Sequence, residues 1–279
     1  MNIIKPYSEI KCKDCDNNGF IIKDGIAVKC ECRRKYESEV KAINILMNSG
    51  LLNNDSTYND FKKLLDYDFS SYHGKDENGN IKKIKSYCEQ FDKPREKPIY
   101  DDEENMISVE TVPSPFKTLH CYVYGKQGTQ KSTVMRGMLA IMARRGKNVY
   151  YIFAKDLISI IFDAERNEDA DKLLKYIQNA DILVIDEFDE NRICLWNSGY
   201  KEKSLIVWLK NRLEMIRKST WFISNYTIDE LKNSKLGDLY GDLIDRETIY
   251  GRFEFKDRYF DDENSRKEVE KIMDFIWGD

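Results

Sequence analysis

The sequence has no apolar run approaching the roughly 18–20 residues of a membrane-spanning helix. Its first residues, MNIIKPYSEI, contain no apolar stretch of signal-peptide length. Export and membrane insertion are therefore not expected, and a cytoplasmic location is. Charge excess is also missing: 45 Lys and Arg stand against 49 Asp and Glu, a formal −4. A chain so balanced has no global positive field, and any nucleic-acid contact must come from a local basic patch. Histidine is scarce, and His73 and His120 show no ligand spacing. No internal repeat is found. The seven cysteines are an odd number, which in a reducing compartment argues against a disulfide framework and for metal or free thiols. What is present is 41% apolar and 34% charged residues over 279 positions, enough for one large domain with a real core and a small one beside it.

Four of the cysteines cluster. Cys12 and Cys15 in "CKDC" and Cys30 and Cys32 in "CEC" frame a short expected hairpin. Two close pairs on one hairpin supply four soft ligands, the pattern of a structural, four-thiolate zinc site. Free thiols and an iron–sulfur cluster are the alternatives. Residues 1–35 carry eight Lys and Arg and five Asp and Glu; four thiolates with one Zn²⁺ lower that +3 to about +1. The module is no evident nucleic-acid clamp, and a protein-binding role is expected. Cys88, Cys121 and Cys194 lie in apolar settings and read as core.

A helix is expected from Tyr36 to Met47, and "HGKDENGN" reads as an exposed loop. Ile81, Ile84, Cys88 and Phe91 fall at helical spacing. "DKPREKPIYDDEEN", with two prolines and a charge run, reads as a linker or surface excursion. After Phe116 apolar strands alternate with helices: 121–124, 149–153, 182–185 and 220–223, closed by "IYGRFEF" at 249–255. Between the strands at 182–185 and 220–223, Leu205, Trp208, Leu209, Leu213 and Ile216 line one helix. This alternation predicts an α/β fold on a parallel sheet with right-handed crossovers.

The stretch "YGKQGTQKST" (124–133) joins the first of these strands to a helix. Gly125, Gly128, Thr129, Gln130, Lys131, Ser132 and Thr133 follow the phosphate-loop spacing except at Gln130, where a glycine is usual. Backbone N–H groups at a helix N-terminus favour phosphate. Lys131 would reach the β- and γ-phosphates and Ser132 would ligate Mg²⁺. Gln130 could crowd the phosphates, strain the backbone, point away or donate a hydrogen bond. "ILVIDEFDE" then ends an apolar strand in Asp186 and Glu187, the Walker B arrangement: Asp186 for Mg²⁺, Glu187 as general base toward the attacking water. Asn225 sits just past the next strand. It either meets the γ-phosphate or lytic water, or caps the helix that starts near Thr227.

These features together resemble the DnaC/DnaI-type replicative helicase loaders, AAA+ ATPases related to the IstB transposition helpers. The resemblance runs from "CKDCDNNGFII…KCECRRK", through "STYNDF" and "IKKIKSYCEQF", over "YGKQGTQKST", "ILVIDEFDE" and "STWFISNYTIDEL", to "LIDRETIYGRFEFKDRYF". It leaves out 93–116 and the C-terminal end. It implies an AAA+ domain with a five-stranded parallel sheet at 81–279, a zinc-binding, helicase-docking module at 1–50, and a helical linker at 51–80. It further implies ATP, Mg²⁺ and Zn²⁺ as cofactors, with a DnaB-type helicase and single-stranded DNA as partners. Asn225 takes the sensor 1 role. Arg246 in "LIDR" becomes the arginine finger of a neighbouring subunit, which requires self-assembly. Sensor 2 falls to Arg258, although the order Arg258-Tyr259-Phe260 departs from the family's Tyr-Arg pair. DNA contact is implied for Asp156 to Asn179, with Lys155, Arg166, Lys172 and Lys175; a solvated helical face is the alternative. Two rival readings stand beside the loader. One is an IstB-like transposase helper; the other is a nucleotide-binding adaptor with little hydrolysis, disabled at Gln130. The expectation is that ATP binds and is hydrolysed slowly.

Overall fold

The computed structural model describes residues 7–52, 56–70, 72, 76, 78–102, 105–189, 193 and 199–256. Strands β1 (Phe20–Lys23) and β2 (Ile26–Lys29) form an antiparallel hairpin. Its Asp24-Gly25 turn has positive φ at both residues, 50° and 77°, the combination that matches the strand twist. Helix α1 (Glu31–Met47) follows directly, with Cys30 as its N-cap. Within the segment expected as linker, Tyr58–Leu65 forms helix α2, started by a Thr57/Asp60 capping box. Helix α3 (Asn80–Gln90) leads to the excursion expected after it. That excursion is an antiparallel arm, β3 (Arg95–Tyr100) with β4 (Met106–Val112), exposed at nearly every position.

The central sheet contains β5 (His120–Tyr124), β6 (Val149–Phe153), β7 (Ile182–Asp186), β8 (Ser219–Ser224) and β9 (Arg252–Glu254), in the order β6-β7-β8-β5-β9 and parallel throughout. The five-stranded parallel sheet is the expected one. Helices α4 (Lys131–Arg144), α5 (Ala154–Asp163), α6 (Glu168–Asn179), α7 (Gly199–Lys210), α8 (Ile228–Asn233) and α9 (Asp242–Glu247) connect its strands. Strand residues alternate between two apolar cores, as period-2 geometry requires. Cys121, Val123, Val184 and Trp221 face the core shared with α1 to α4. Tyr122, Leu183, Ile185 and Phe222 face the core shared with α5, α6 and α7. Ala42, Leu46, Phe61 and Leu65 belong to the first core, so α1 and α2 pack on the sheet side by side with the loop helix α4. At the outer edge the Tyr151 amide donates to Ser49 O (2.7 Å), where a Cβ at Gly50 would meet Tyr151 O at 2.3 Å. Only glycine lets the end of α1 approach β6 this closely.

Cys88 and Cys121 are buried in the core as expected; Cys194 and His73 lie outside the described residues. His120 is buried, with Nε2 against Leu213 O at 3.2 Å, and burial pushes its pKa down. The helix expected through Ile216 ends at Lys210 and continues as a π-helical turn, Asn211–Ile216. Arg212, at helical spacing from the buried Leu205, Trp208 and Leu209, is itself completely buried. Its guanidinium donates to Thr220 Oγ1 (2.9 Å) and to the carbonyls of Ile177 (3.3 Å), Gln178 (2.5 Å), Ala180 (3.0 Å) and Ser219 (3.0 Å). It satisfies the orphan carbonyls at the C-terminus of α6 and ties them to β8. Burial lowers its pKa to about 9, which leaves it charged at neutral pH. Arg212→Ala strands these acceptors away from water and is expected to cost about 3–5 kcal/mol, read from the urea unfolding midpoint.

Candidate nucleotide site and thiolate cluster

Parallel strands bring their carboxyl ends to one edge, and there the loop after β5 meets the ends of β7 and β8. Gly125 has φ 146°, and a Cβ there would meet Phe255 O at 2.0 Å, so the loop leaves β5 against the backbone after β9. Gln130 is the N-cap of α4 with φ 60° and ψ 17°. This is the left-handed region, in which a side chain is strained. Of the four possibilities for Gln130, the backbone strain is the one observed.

Lys131 is buried. Its Nζ donates to Gly125 O (2.6 Å), Lys126 O (2.9 Å) and Asn225 Oδ1 (3.2 Å), with Thr129 Oγ1 at 3.4 Å. Burial lowers its pKa to about 8, against the opposing pull of Asp186 and Asp189. The buried Thr129 hydroxyl donates to Lys126 O (2.9 Å) and closes the loop on itself. Ser132 is half-buried and Thr133 exposed.

Asp186 is buried at the end of β7. Its Oδ1 accepts from the Glu187 amide (2.6 Å), and its Oδ2 accepts from the Tyr151 hydroxyl. Burial and then the Asp186 charge push the Tyr151 phenol up, so it remains the donor. The Arg136 guanidinium lies over the Tyr151 ring, 4.6 Å from its centroid. Glu187 takes φ 53°, a left-handed turn that lets Phe188 N return to Ile223 O (2.8 Å) on β8.

Asn225 is not the cap of the next helix. Thr227 is, in a capping box with Glu230. Asn225 instead spans from Lys131 to Asp189, whose Oδ2 accepts its Nδ2 at 2.8 Å. Asp189 is a residue the motif reading passed over, and its only sequence signal was a second aspartate in "DEFDE".

Arg246 is on the surface, bonded to Glu214 (2.5 Å) and Glu247 (2.9 Å). Asp245 pairs with Lys232 and Arg252. Arg246 does not join the cluster around Lys131 in its own chain. Arg258 lies outside the described residues. In the segment 156–179, Lys172 pairs with Glu168 (2.9 Å) and Lys175 with Asp171 (2.7 Å), while Arg166 sits over the Phe162 ring. The neighbouring Lys155 sits over the Phe153 ring. The paired lysines fit the solvated-face alternative better than a ready basic patch.

At the other end of the chain the four thiols meet. All four sulfurs of Cys12, Cys15, Cys30 and Cys32 lie within 4.8 Å of one another, with Cys12–Cys30 at 3.8 Å and Cys15–Cys32 at 3.5 Å. Zinc–sulfur bonds of about 2.3 Å give a tetrahedron with edges of about 3.8 Å, so the set fits one Zn²⁺. It is too tight to straddle an iron–sulfur cluster, whose cysteines bind separate irons. The Gly19 amide donates to Cys15 Sγ (3.3 Å), and the Tyr7 hydroxyl lies 3.0 Å from Cys32 Sγ. These contacts orient the ligands.

No family model matches the chain. A stretch of 109 residues is 29% identical to the replicative helicase loader DnaC of Escherichia coli (strain K12), covering 38% of this chain and 42% of that protein. The chain thus spans about two fifths of the length of the curated relatives it matches. Among solved structures, DnaI aligns at TM-score 0.48 and 14% identity over 70% of this chain and 93% of its own. The DnaC helicase loader aligns at TM-score 0.47 and 19% identity over 70% and 98%. The chain is similar over this stretch to the replicative helicase loader DnaC, as the motifs led one to expect. Among the described residues no helix is long and apolar enough to cross a membrane.

Two outcomes test this geometry. Gln130→Gly removes roughly 1–2 kcal/mol of left-handed strain, partly offset by about 0.5–1 kcal/mol of glycine backbone entropy. A small rise in melting temperature is expected. Purified protein should carry one Zn²⁺ per chain by elemental analysis, and Cys30→Ser should lose it.

Proposed function

We propose that the chain is an ATP-dependent loader that binds a DnaB-type replicative helicase and places it on single-stranded DNA in the bacterial cytoplasm. The observation that carries the nucleotide part is the meeting of Lys131, Asp186 and Asn225 at the carboxyl edge of one parallel sheet. The similarity to DnaC supports the loader part.

Phosphates seat against the loop amides from Gly125 to Thr133, and Lys131 exchanges the loop carbonyls for the β- and γ-oxygens. Ser132 and Asp186 are the residues to hold Mg²⁺, which neutralises phosphate charge when bound. Tyr151 keeps the Asp186 carboxylate turned to one side. Glu187 takes the proton of the attacking water. Arg246 reaches a neighbouring subunit's nucleotide after releasing Glu214 and Glu247. Exposed pairs of that kind contribute only about 0–1 kcal/mol, so the exchange is cheap. The same holds for Lys172 and Lys175, which exchange Glu168 and Asp171 for the phosphates of single-stranded DNA. The thiolate module, within residues 1–50, docks on the helicase.

The strained Gln130 favours one second reading, an adaptor that binds ATP with little turnover. An ATPase assay separates the two. Under the loader reading, Glu187→Gln lowers kcat by roughly 10²–10⁴-fold and retains ATP affinity. A wild type no faster than Glu187→Gln establishes the adaptor. Co-elution with the replicative helicase and its transfer onto DNA tests the partner; absence of a complex with ATP, ADP and no nucleotide rejects it.

A further inference from the structure

Asp189 is buried, lies between the ends of β7 and β8, and has no part in the roles above. Its Oδ1 accepts from the Ser224 hydroxyl (2.5 Å) and the Asn225 amide N–H (2.9 Å). Its Oδ2 accepts from Asn225 Nδ2 (2.8 Å). All three partners are donors, as a carboxylate requires. On the far side of the Asn225 amide stands the Lys131 ammonium, 3.2 Å from Oδ1, and an ammonium has no acceptor capacity. The orientation of a side-chain amide is assigned from its partners. Here two independent partners agree: nitrogen toward Asp189, oxygen toward Lys131. The reverse orientation would set oxygen against carboxylate and NH₂ against ammonium.

We infer that Asp189 is a positioning residue that locks the Asn225 amide with its oxygen facing the nucleotide site. This rests on the ATP hydrolysis proposed above. The consequence is chemical. A γ-phosphate oxygen is an acceptor, and so is Asn225 Oδ1, so the two do not bond. Asn225 accepts a hydrogen bond from water instead. In hydrolysis the water oxygen bonds to the γ-phosphorus as the bond from that phosphorus to the bridging oxygen breaks. ADP leaves with the electron pair, and one water proton passes to Glu187. The second O–H of the water points at Asn225 Oδ1. Of the two partners the sequence left open for Asn225, the geometry selects the water.

An exchange of the two side chains tests this. In Asp189→Asn, the new NH₂ faces Asn225, whose amide turns over and presents NH₂ to the site. Turnover should fall roughly 100-fold from the misplaced group, with ATP affinity held within about threefold. In the double variant Asp189→Asn with Asn225→Asp, the donor now comes from position 189 and an oxygen again faces the site. It should recover most of the lost kcat. A double variant as slow as Asp189→Asn overturns the proposal, as does wild-type turnover in Asp189→Asn. A readout without turnover separates this from the hydrolysis reading. The Asn225 side-chain NH₂ resonance, identified by its loss in Asn225→Ala, should exchange with water slowly in the wild type and fast in Asp189→Asn. If wild type binds ATP without hydrolysing it, the hydrolysis reading fails, and this exchange alone decides the orientation. If Asp189→Asn does not fold, wild-type exchange as fast as that of exposed asparagines overturns the lock.

Discussion

An ammonium group taken out of water must find acceptors, and the candidate site is organised by where Lys131 finds them. The group lies in a loop with two carbonyls of its own backbone and one amide oxygen from just past β8, the strand beside β5. Each acceptor then has its own constraint. The carbonyls come from a loop whose Gly125 no other residue could replace without displacing Phe255. The amide oxygen is presented by an asparagine that Asp189 holds from behind. Gln130 tolerates a left-handed backbone at the start of α4 so that Lys131 can begin the helix on the correct side. The ammonium is thus satisfied by the protein's own oxygens, and any anion it binds has to compete with them.

The two ends of the molecule are joined through the same region. Helix α1 starts at the thiolate cluster and ends at Met47, two residues before Ser49, which accepts from the backbone of Tyr151. The Tyr151 side chain bonds Asp186. One strand residue therefore touches the chain just after the helix of the thiolate module with its backbone, and the acidic end of β7 with its hydroxyl.

The site was legible where its meaning is local. A loop, a strand ending in two acids and two cysteine pairs can be read in short windows, because spacing alone sets their geometry. Strand positions were legible too, since strands buried on both faces read as unbroken apolar runs. The β3–β4 arm was not: exposed on both faces, it has no apolar alternation, and Pro98 and its charges look like a linker. Arg212 was hidden by a regular pattern. It lies in line with Leu205, Trp208, Leu209 and Leu213 on the apolar face, and its burial rests on acceptors at the end of α6 that the helix's own sequence does not show. Asp189 and the Tyr151–Asp186 bond were out of reach because their partners lie 35 and 36 residues away in sequence.

The sealed position of Arg212 also constrains how the chain folds. A guanidinium that has left water without its acceptors is worse off than one still hydrated. Its acceptors come from the end of α6 and the start of β8, separated by about 40 residues. No partly folded state can bury Arg212 with only one of those segments in place at low cost. The end of α6, the π turn and β8 must therefore close in a single step, and this side of the sheet has little room for a stable half-assembled form.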